Sequence, residues 1–387
     1  MASERRHEMS VKSIGELARS LSREYVRSSR KRKGAILDEF VLATGVRRKT
    51  AIVLLRTPPP VKARARGRPV ARYGADVAAA LEWLWATNGY LCSERLVPSL
   101  PVMMDLAQTE GAWGFSETVR GKLLKISVST CERLLRPHKL AFRSSGRCMT
   151  RPGSLLKAQI PVRTWSDWSE TEPGYCEMDL VHHCDNDTYG EYLHTLTVTD
   201  VVLGWTEIQA LKNRSERTVV GGVDSVRLRL PYALKGLDSD CGGEFINQIV
   251  FRYCQEHNIV FTRGRPSKKN DQCRVEQKNR SIVRDNVGYN RYEGDEALKA
   301  LNAYYRALRL RVNFLQPCMI LTRKERVGAR VRRYYDLAMT PCQRALEHPC
   351  VPKEVKERLR EQLASIRPAA LAKDILRLRE ELRRFAR

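Results

Sequence analysis

A chain of 387 residues exceeds one ordinary domain, and its 42% hydrophobic content is enough to build real cores. A net charge of +25 and a pI near 9.9 are unlike a typical cytosolic enzyme and favour a polyanionic partner, nucleic acid ahead of an anionic membrane surface. No apolar run is long enough to span a bilayer and the N-terminus lacks a signal-peptide core, so a soluble, cytoplasmic protein with no membrane partner is expected.

Residues 1–33 are polar and charged, and their basic run Arg27-Ser-Ser-Arg-Lys-Arg-Lys33 reads either as a solvated face or frayed arm or as a phosphate-contacting segment. Ile36, Leu37, Phe40 and Val41 have helical spacing, Gly45 breaks it, and Ala51, Ile52 and Leu55 resume it. This predicts a helix-turn-helix whose second helix presents Arg47, Arg48 and Lys49 to a major groove, although a plain helical hairpin has the same pattern. Pro58-Pro-Pro60 ends the unit, and Lys62–Pro69 reads as a basic linker. Its Arg66-Gly-Arg68-Pro core resembles an AT-hook that lies in a narrow minor groove, and a linker that merely touches phosphates fits equally.

A second helical unit is expected over 76–137. Val77, Leu81, Leu84 and Trp85 form a stripe, a helix is expected near Val102–Gln108, and the segment from Glu117 through Ser127 to Leu135 resembles another helix-turn-helix with Ser127 as N-cap. A Gly/Pro/basic connector over 146–163 follows. Strands are predicted at 175–182, 191–199, 204–211, 233–239 and 259–263, with helices at 216–229, 244–258 and 273–287, which is a mixed α/β sheet. After a helix near 295–312, the segment Pro317–Arg344 combines Arg323, Lys324, Arg326, Arg330, Arg332 and Arg333 with Tyr334 and Tyr335, suiting either a nucleic-acid surface or a solvated face. The tail from Pro352 is helical, and its stripe of Leu359, Leu363, Leu371, Ile375, Leu378 and Leu382 is expected in a helical pair or between subunits. The domains are therefore expected at 1–70, 71–145, 165–315 and 316–387: helical DNA-binding units, an α/β core, and a basic region with a helical tail.

The eleven cysteines include no Cys-x-x-Cys pair, which argues against a disulfide framework and a zinc ribbon. His182, His183 and Cys184 form a local cluster of metal-ligand types, but adjacent strand residues point to opposite faces. The acids are more informative. Asp179 lies mid-strand, Asp240 ends a later strand before a Gly-Gly pair, and Glu276 lies on a helix with 35 residues between it and Asp240. Three carboxylates from separate elements suit a hard divalent cation that keeps waters for a phosphate substrate. Asp238 shares the face of Asp240 if the strand persists and is the competing second ligand.

These residues, in the runs Asp240-Cys-Gly-Gly-Glu-Phe-Ile-Asn247 and Lys269-Asn-Asp-Gln-Cys-Arg-Val-Glu276-Gln-Lys-Asn279, resemble the Asp-Asp-Glu core of the retroviral integrase superfamily, and most closely integrase-type transposases of bacterial insertion sequences. The resemblance extends through Thr195–Asp200, Gly204–Glu207, Thr262–Pro266 and Val287–Tyr292. It implies a ribonuclease H-like core, with Asp179, Asp240 and Glu276 as catalytic acids holding two Mg²⁺ or Mn²⁺ ions. It also implies metal-dependent cleavage with water as nucleophile, and joining with a freed 3′-hydroxyl, at the ends of a mobile element in a bacterial, nucleoid-associated setting. The partners would be double-stranded DNA, as element ends and target, and further copies of the chain on that DNA. Lys268, Lys269, Arg274, Lys278 and Arg280 are expected on the DNA backbone, and Asn270 and Asn279 on a phosphate or on Glu276. The family usually carries Asn after the second acid; here Cys241 stands, without the amide's hydrogen bonds. The alternative reading is a catalytically inactive DNA-binding regulator derived from such an enzyme.

Overall fold

The computed structural model describes residues 9–60, 73–139, 161, 171–185, 187–240, 242–265, 272–327 and 330–387. They form two compact units that divide between Arg72 and Tyr73. In the first, α1 (Val11–Arg27), α2 (Arg30–Thr44) and α3 (Arg48–Arg56) enclose a core of Ala18, Tyr25, Ile36, Leu37, Phe40, Ala51 and Leu55. The polar N-terminal segment is helical from residue 11. Ile14, Leu17, Ala18, Leu21 and Tyr25 recur at helical spacing and meet the core, a sparse stripe hidden among charges. The basic run is the junction of two helices, because Ser28 ends α1 and the Ser29 side chain caps α2. Gly45, at φ 72°, supplies the left-handed residue that ends α2.

The second unit begins with α4 (Ala75–Thr87), α5 (Ser93–Thr109), α6 (Glu117–Leu123) and α7 (Val128–Lys139). Ser127 Oγ accepts the Thr130 N–H at 3.3 Å, as its N-cap reading requires. The helix expected at 102–108 starts much earlier, at Ser93, and contains Pro98 and Pro101. Each proline costs an interior helix about 3 kcal/mol, but Leu96, Leu100, Met103, Met104 and Ala107 are buried along its length and hold it in place.

The sheet is mixed. Among the described residues β1 (Tyr175–His182), β2 (His194–Asp200), β3 (Thr206–Leu211), β4 (Gly236–Ser239) and β5 (Val260–Arg263) lie in the order β3-β2-β1-β4-β5. The first three strands are antiparallel, and β4 and β5 extend β1 in parallel. Helix α8 (Glu216–Arg229) makes the crossover and α9 (Gln248–Glu256) joins β4 to β5. This is the mixed α/β architecture expected, consistent with a ribonuclease H-like core.

Alternation gives the sheet two chemically distinct faces. Cys176, Met178, Leu180, Leu196 and Val198 belong to an apolar core shared with α4–α9, so the helices over 75–139 and the sheet are packed as one body. The opposite face carries Glu177, Asp179, Thr195, Thr197 and Thr199 and is met by α10 (Cys273–Lys278) and, through Val181, Ile208 and Ala210, by a second core. The helix expected over 273–287 is not uniform: a π-helical segment, Asn279–Arg284, separates α10 from α11 (Asp285–Val287). Another π-helical segment, Arg311–Leu315, follows α12 (Gly294–Leu310).

The basic segment forms an antiparallel hairpin of β6 (Leu321–Val327) and β7 (Arg330–Tyr335). Of the tail helices, α13 (Pro341–Glu347) and α14 (Lys353–Ser365) bury Ala345, Val355 and Leu359 in the first core, and α15 (Pro368–Arg383) buries Ile375 and Leu382 against α12. The tail stripe is therefore used within the subunit. No helix among the described residues is long and apolar enough to cross a membrane.

Glu207 on β3 locks the layers together. Fully buried, it accepts from Trp205 Nε1 (2.9 Å), Arg229 Nε of α8 (3.2 Å) and Arg309 Nε of α12 (2.6 Å). Removing one charge of a buried network strands its partners. Glu207→Gln is expected to destabilise the protein by roughly 3 kcal/mol, read as a lower urea midpoint with an unchanged slope.

Candidate active site

The site is built on Glu177, a residue the sequence reading passed over. Its carboxylate is completely buried, and it accepts the backbone N–H groups of Arg274 and Val275 and the Arg274 Nη1, each at 2.9 Å. These amides are the open first turn of α10, so a sheet carboxylate caps a helix that comes 97 residues later. Burial raises the Glu177 pKa, and the Arg274 charge and the helix amides oppose that rise. The signal was present, since Glu177 and Asp179 stand two apart on one strand face.

Two residues along, Asp179 receives the Leu180 N–H (2.8 Å) on one oxygen and Asn279 Nδ2 (2.7 Å) on the other. Asn279 follows α10 directly and lies one turn past Glu276, so the capped helix brings its side chain to Asp179. Asp240 stands just past the end of β4, with its Oδ1 bonded to the Gly242 N–H at 2.8 Å. Desolvation raises the Asp179 pKa to about 8, and the charges of Asp240, Glu276 and Glu244 add to that rise. Asp240 and Glu244 are raised too, first by burial. Glu276 is exposed. The three expected acids thus share one electrostatic neighbourhood, joined by Glu244, which had not been singled out. Among the described residues, no three His, Cys, Asp or Glu side chains stand together as placed in a group that could hold a metal ion.

Asp238 is bound elsewhere. It is completely buried, pairs with Glu177 in register, and accepts Thr262 Oγ1 (2.6 Å) and Gln272 Nε2 (3.1 Å). Of the expected backbone-holding cations, Arg274 is engaged by Glu177. The side chain of Lys278 is desolvated, which lowers its pKa, and the nearby charges are those of Cys318, Arg95 and Arg344. As placed, Arg274 is thus ion-paired and Lys278 lies among protein charges, while each keeps part of its surface exposed. Arg280 is exposed and its charge acts on Asp285. In the N-terminal unit Arg47, Arg48 and Lys49 are exposed at the start of α3, with Arg48 paired to Asp38. Arg66, Arg68, Cys241, Lys268, Lys269 and Asn270 lie outside the described residues.

The histidines next to the site are packed as neutral rings. His183 bonds Thr195 Oγ1 (2.7 Å), which in turn meets the Tyr305 hydroxyl (2.6 Å). His182 and His194 lie edge to face at 4.8 Å with Tyr192 stacked on His194, and burial lowers their pKa values to about 4 and about 3.

The Asp179 shift predicts a pH dependence with a definite sign. Between its ordinary 3.8 and about 8 the folded carboxyl keeps a proton that the unfolded chain has released. Its contribution to stability is therefore lost as pH rises through that window and is constant above it. In chelator, urea stability of the wild type is expected to fall by more between pH 5 and pH 8 than that of Asp179→Asn; parallel profiles would contradict the assignment.

No family model matches this chain. Its structure is similar to the catalytic core domain of BIV integrase, with a TM-score of 0.26, 20% identity, and coverage of 36% of this chain and 83% of that one. It is also similar to a chain of the simian T-cell lymphotropic virus intasome in complex with PP2A regulatory subunit B56 gamma, with a TM-score of 0.28, 14% identity, and coverage of 47% and 59%. In sequence it is 38% identical over 329 residues, 85% of this chain and 94% of the other, to the uncharacterized protein y4rM of Sinorhizobium fredii. At that identity and coverage, the chain belongs to the family of the y4rM protein.

Proposed function

We propose that the protein is a transposase of the Asp-Asp-Glu type, which cleaves DNA strands and joins them to a target at the ends of an insertion sequence. The observation that carries this reading is the setting of Asp179: burial raises its proton affinity first, and the charges of Asp240, just past the next strand, and Glu276, from α10, add to that rise. Clustered carboxylates of this kind are relieved by a divalent cation, and an all-oxygen donor set suits Mg²⁺ or Mn²⁺. Asp179, Asp240 and Glu276 would hold two such ions, which when bound would polarise the attacking and leaving oxygens of an in-line displacement. The chain's own part is positional. Glu177 fixes α10, and Asn279 holds the Asp179 carboxylate in one orientation.

The hairpin supports DNA as the substrate. On one face Arg323 stacks over Tyr334 (4.2 Å) and pairs with Glu325, which also accepts the Tyr334 hydroxyl (2.7 Å). The other face carries Lys324, Arg326 and Arg333. The charge of Lys324 reaches Cys273 at the start of α10. A two-stranded ribbon of such charge suits a phosphate backbone. The exposed Arg47 and Lys49 on α3 would contact a second stretch of duplex in helix-turn-helix fashion. Bringing two DNA ends together calls for more than one copy of the chain on DNA.

Asp179→Asn, Asp240→Asn and Glu276→Gln are each expected to reduce Mg²⁺-dependent cleavage and joining to background while leaving duplex binding intact, and Asp238→Asn to retain activity. A dead Asp238→Asn beside an active Asp240→Asn would exchange their roles. For the hairpin, the combined Lys324→Gln, Arg326→Gln and Arg333→Gln variant is expected to flatten the dependence of log affinity on log salt by about 2–3. Arg323→Gln with Arg332→Gln, on the partly neutralised face, should change it less.

A further inference from the structure

The hairpin presents more than charge. Alternation along β7 puts Val331, Arg333 and Tyr335 on one face, and the register sets Arg326 opposite Val331 and Lys324 opposite Arg333, so all five share it. Val331 and Tyr335 are 46% and 49% exposed, and Leu337, two residues past Tyr335, is 83% exposed. The two adjacent tyrosines thus have different surroundings. Tyr334 is engaged within the hairpin, with Arg323 over its ring and its hydroxyl donating to Glu325, whereas Tyr335 turns its side chain to the opposite, cationic face. That face is also held still at its base. Asp336, directly after Tyr335, accepts the Ile320 N–H (2.7 Å) and both Arg344 Nη1 (2.5 Å) and Nη2 (3.1 Å), and Arg344 Nη2 also donates to the Leu337 carbonyl (2.9 Å). Arg344 belongs to α13, which is packed into the first core through Cys342 and Ala345.

Single exposed apolar residues need no explanation, but here three stand within seven residues on an anchored ribbon beside cations. Phosphates satisfy the cations and give nothing to an aromatic ring. In a paired duplex the flat faces of the bases are covered by their neighbours, so a ring on this ribbon finds a base face only where a base is unpaired. Aromatic rings set in a basic surface are the combination that holds single strands, and the stacking is tolerant of sequence because every base has such a face. We propose that this face of the hairpin binds an unpaired nucleobase of DNA, stacked on Tyr335 with its phosphate on Arg333. Same-face neighbours on a strand stand about 7 Å apart, which brings base and phosphate of one nucleotide within reach of the two side chains. The proposal rests on the reading of DNA as substrate and narrows it to duplex that adjoins a single-stranded stretch.

The test uses the full chain in chelator, so that the DNA stays uncut, with a fully paired duplex and the same duplex carrying a short single-stranded extension that contains 2-aminopurine. The extension also adds phosphates, so the decisive comparison is with Tyr335→Ala, which keeps every cation. That variant is expected to bind the extended duplex about tenfold more weakly than the wild type and the paired duplex about equally. Tyr335→Phe, which keeps the ring, should bind both as the wild type does, and Tyr335→Leu, apolar without a ring, should behave as the alanine variant. The wild type and Tyr335→Phe should quench the 2-aminopurine, and Tyr335→Ala should not. Should Tyr335→Ala melt much lower than the wild type, the phenylalanine and leucine variants decide by the same readouts. Extended-duplex affinity and quenching that Tyr335→Ala retains in full overturn the proposal. So do equal losses on both duplexes, and a wild type that does not prefer the extended one. Each of these leaves the DNA reading standing, because the paired duplex is still bound by the wild type. That reading falls, and this proposal with it, if the wild type binds neither duplex.

Discussion

The buried carboxylate of Glu177 at the N-terminus of α10 is the contact on which the acid site depends. An ionised acid in an apolar layer is costly unless opposite charge and hydrogen bonds surround it, and α10 supplies two backbone amides and one guanidinium. The compensation is mutual, because the helix's open amides also need an acceptor. One consequence is geometric: with the first turn anchored to β1, the later residues Glu276 and Asn279 are carried along the strand toward Asp179. Asp238, holding Gln272 and Thr262, braces the same junction from the next strand. A pair of acids in register, Glu177 and Asp238, thus serves structure, and the pair two residues on, Asp179 and Asp240, is left with raised proton affinity.

The sheet separates these duties. Its apolar face is held by the helices before and after it in one large core, so the strands cannot slip without exposing Met178, Leu196 and Val198. Its polar face is lined with the buried threonines Thr195, Thr197 and Thr199. Glu207, with arginines from α8 and α12, ties both layers to β3. The stretches Gly204–Glu207 and Thr195–Asp200 therefore hold the site's frame in place. Asp200, for example, accepts the backbone N–H groups of Gly174, Val202 and Leu203.

The sequence by itself determined the elements whose signals are local. Strand alternation in His194–Asp200, the Gly45 break and the Ser127 cap each depend on residues within one turn or one strand, and each is found where those residues stand. The spacing of Asp179, Asp240 and Glu276 also named three acids that share one electrostatic neighbourhood. Local signals fell short in α1, where charge masks periodicity, and in α5, which starts at Ser93, well before the expected Val102.

Only the tertiary structure decided which polar groups serve one another. Arg274 looks like a surface cation in a basic chain, but a helix face acquires its role from what it is packed against, and Arg274 pairs with the buried Glu177. Glu177 and Asp238 are indistinguishable in sequence from Asp179 and Asp240, two residues further along the same faces. What separates them is distance along the strand from the capped helix end, a quantity fixed by the crossing of elements nearly a hundred residues apart and absent from any local pattern.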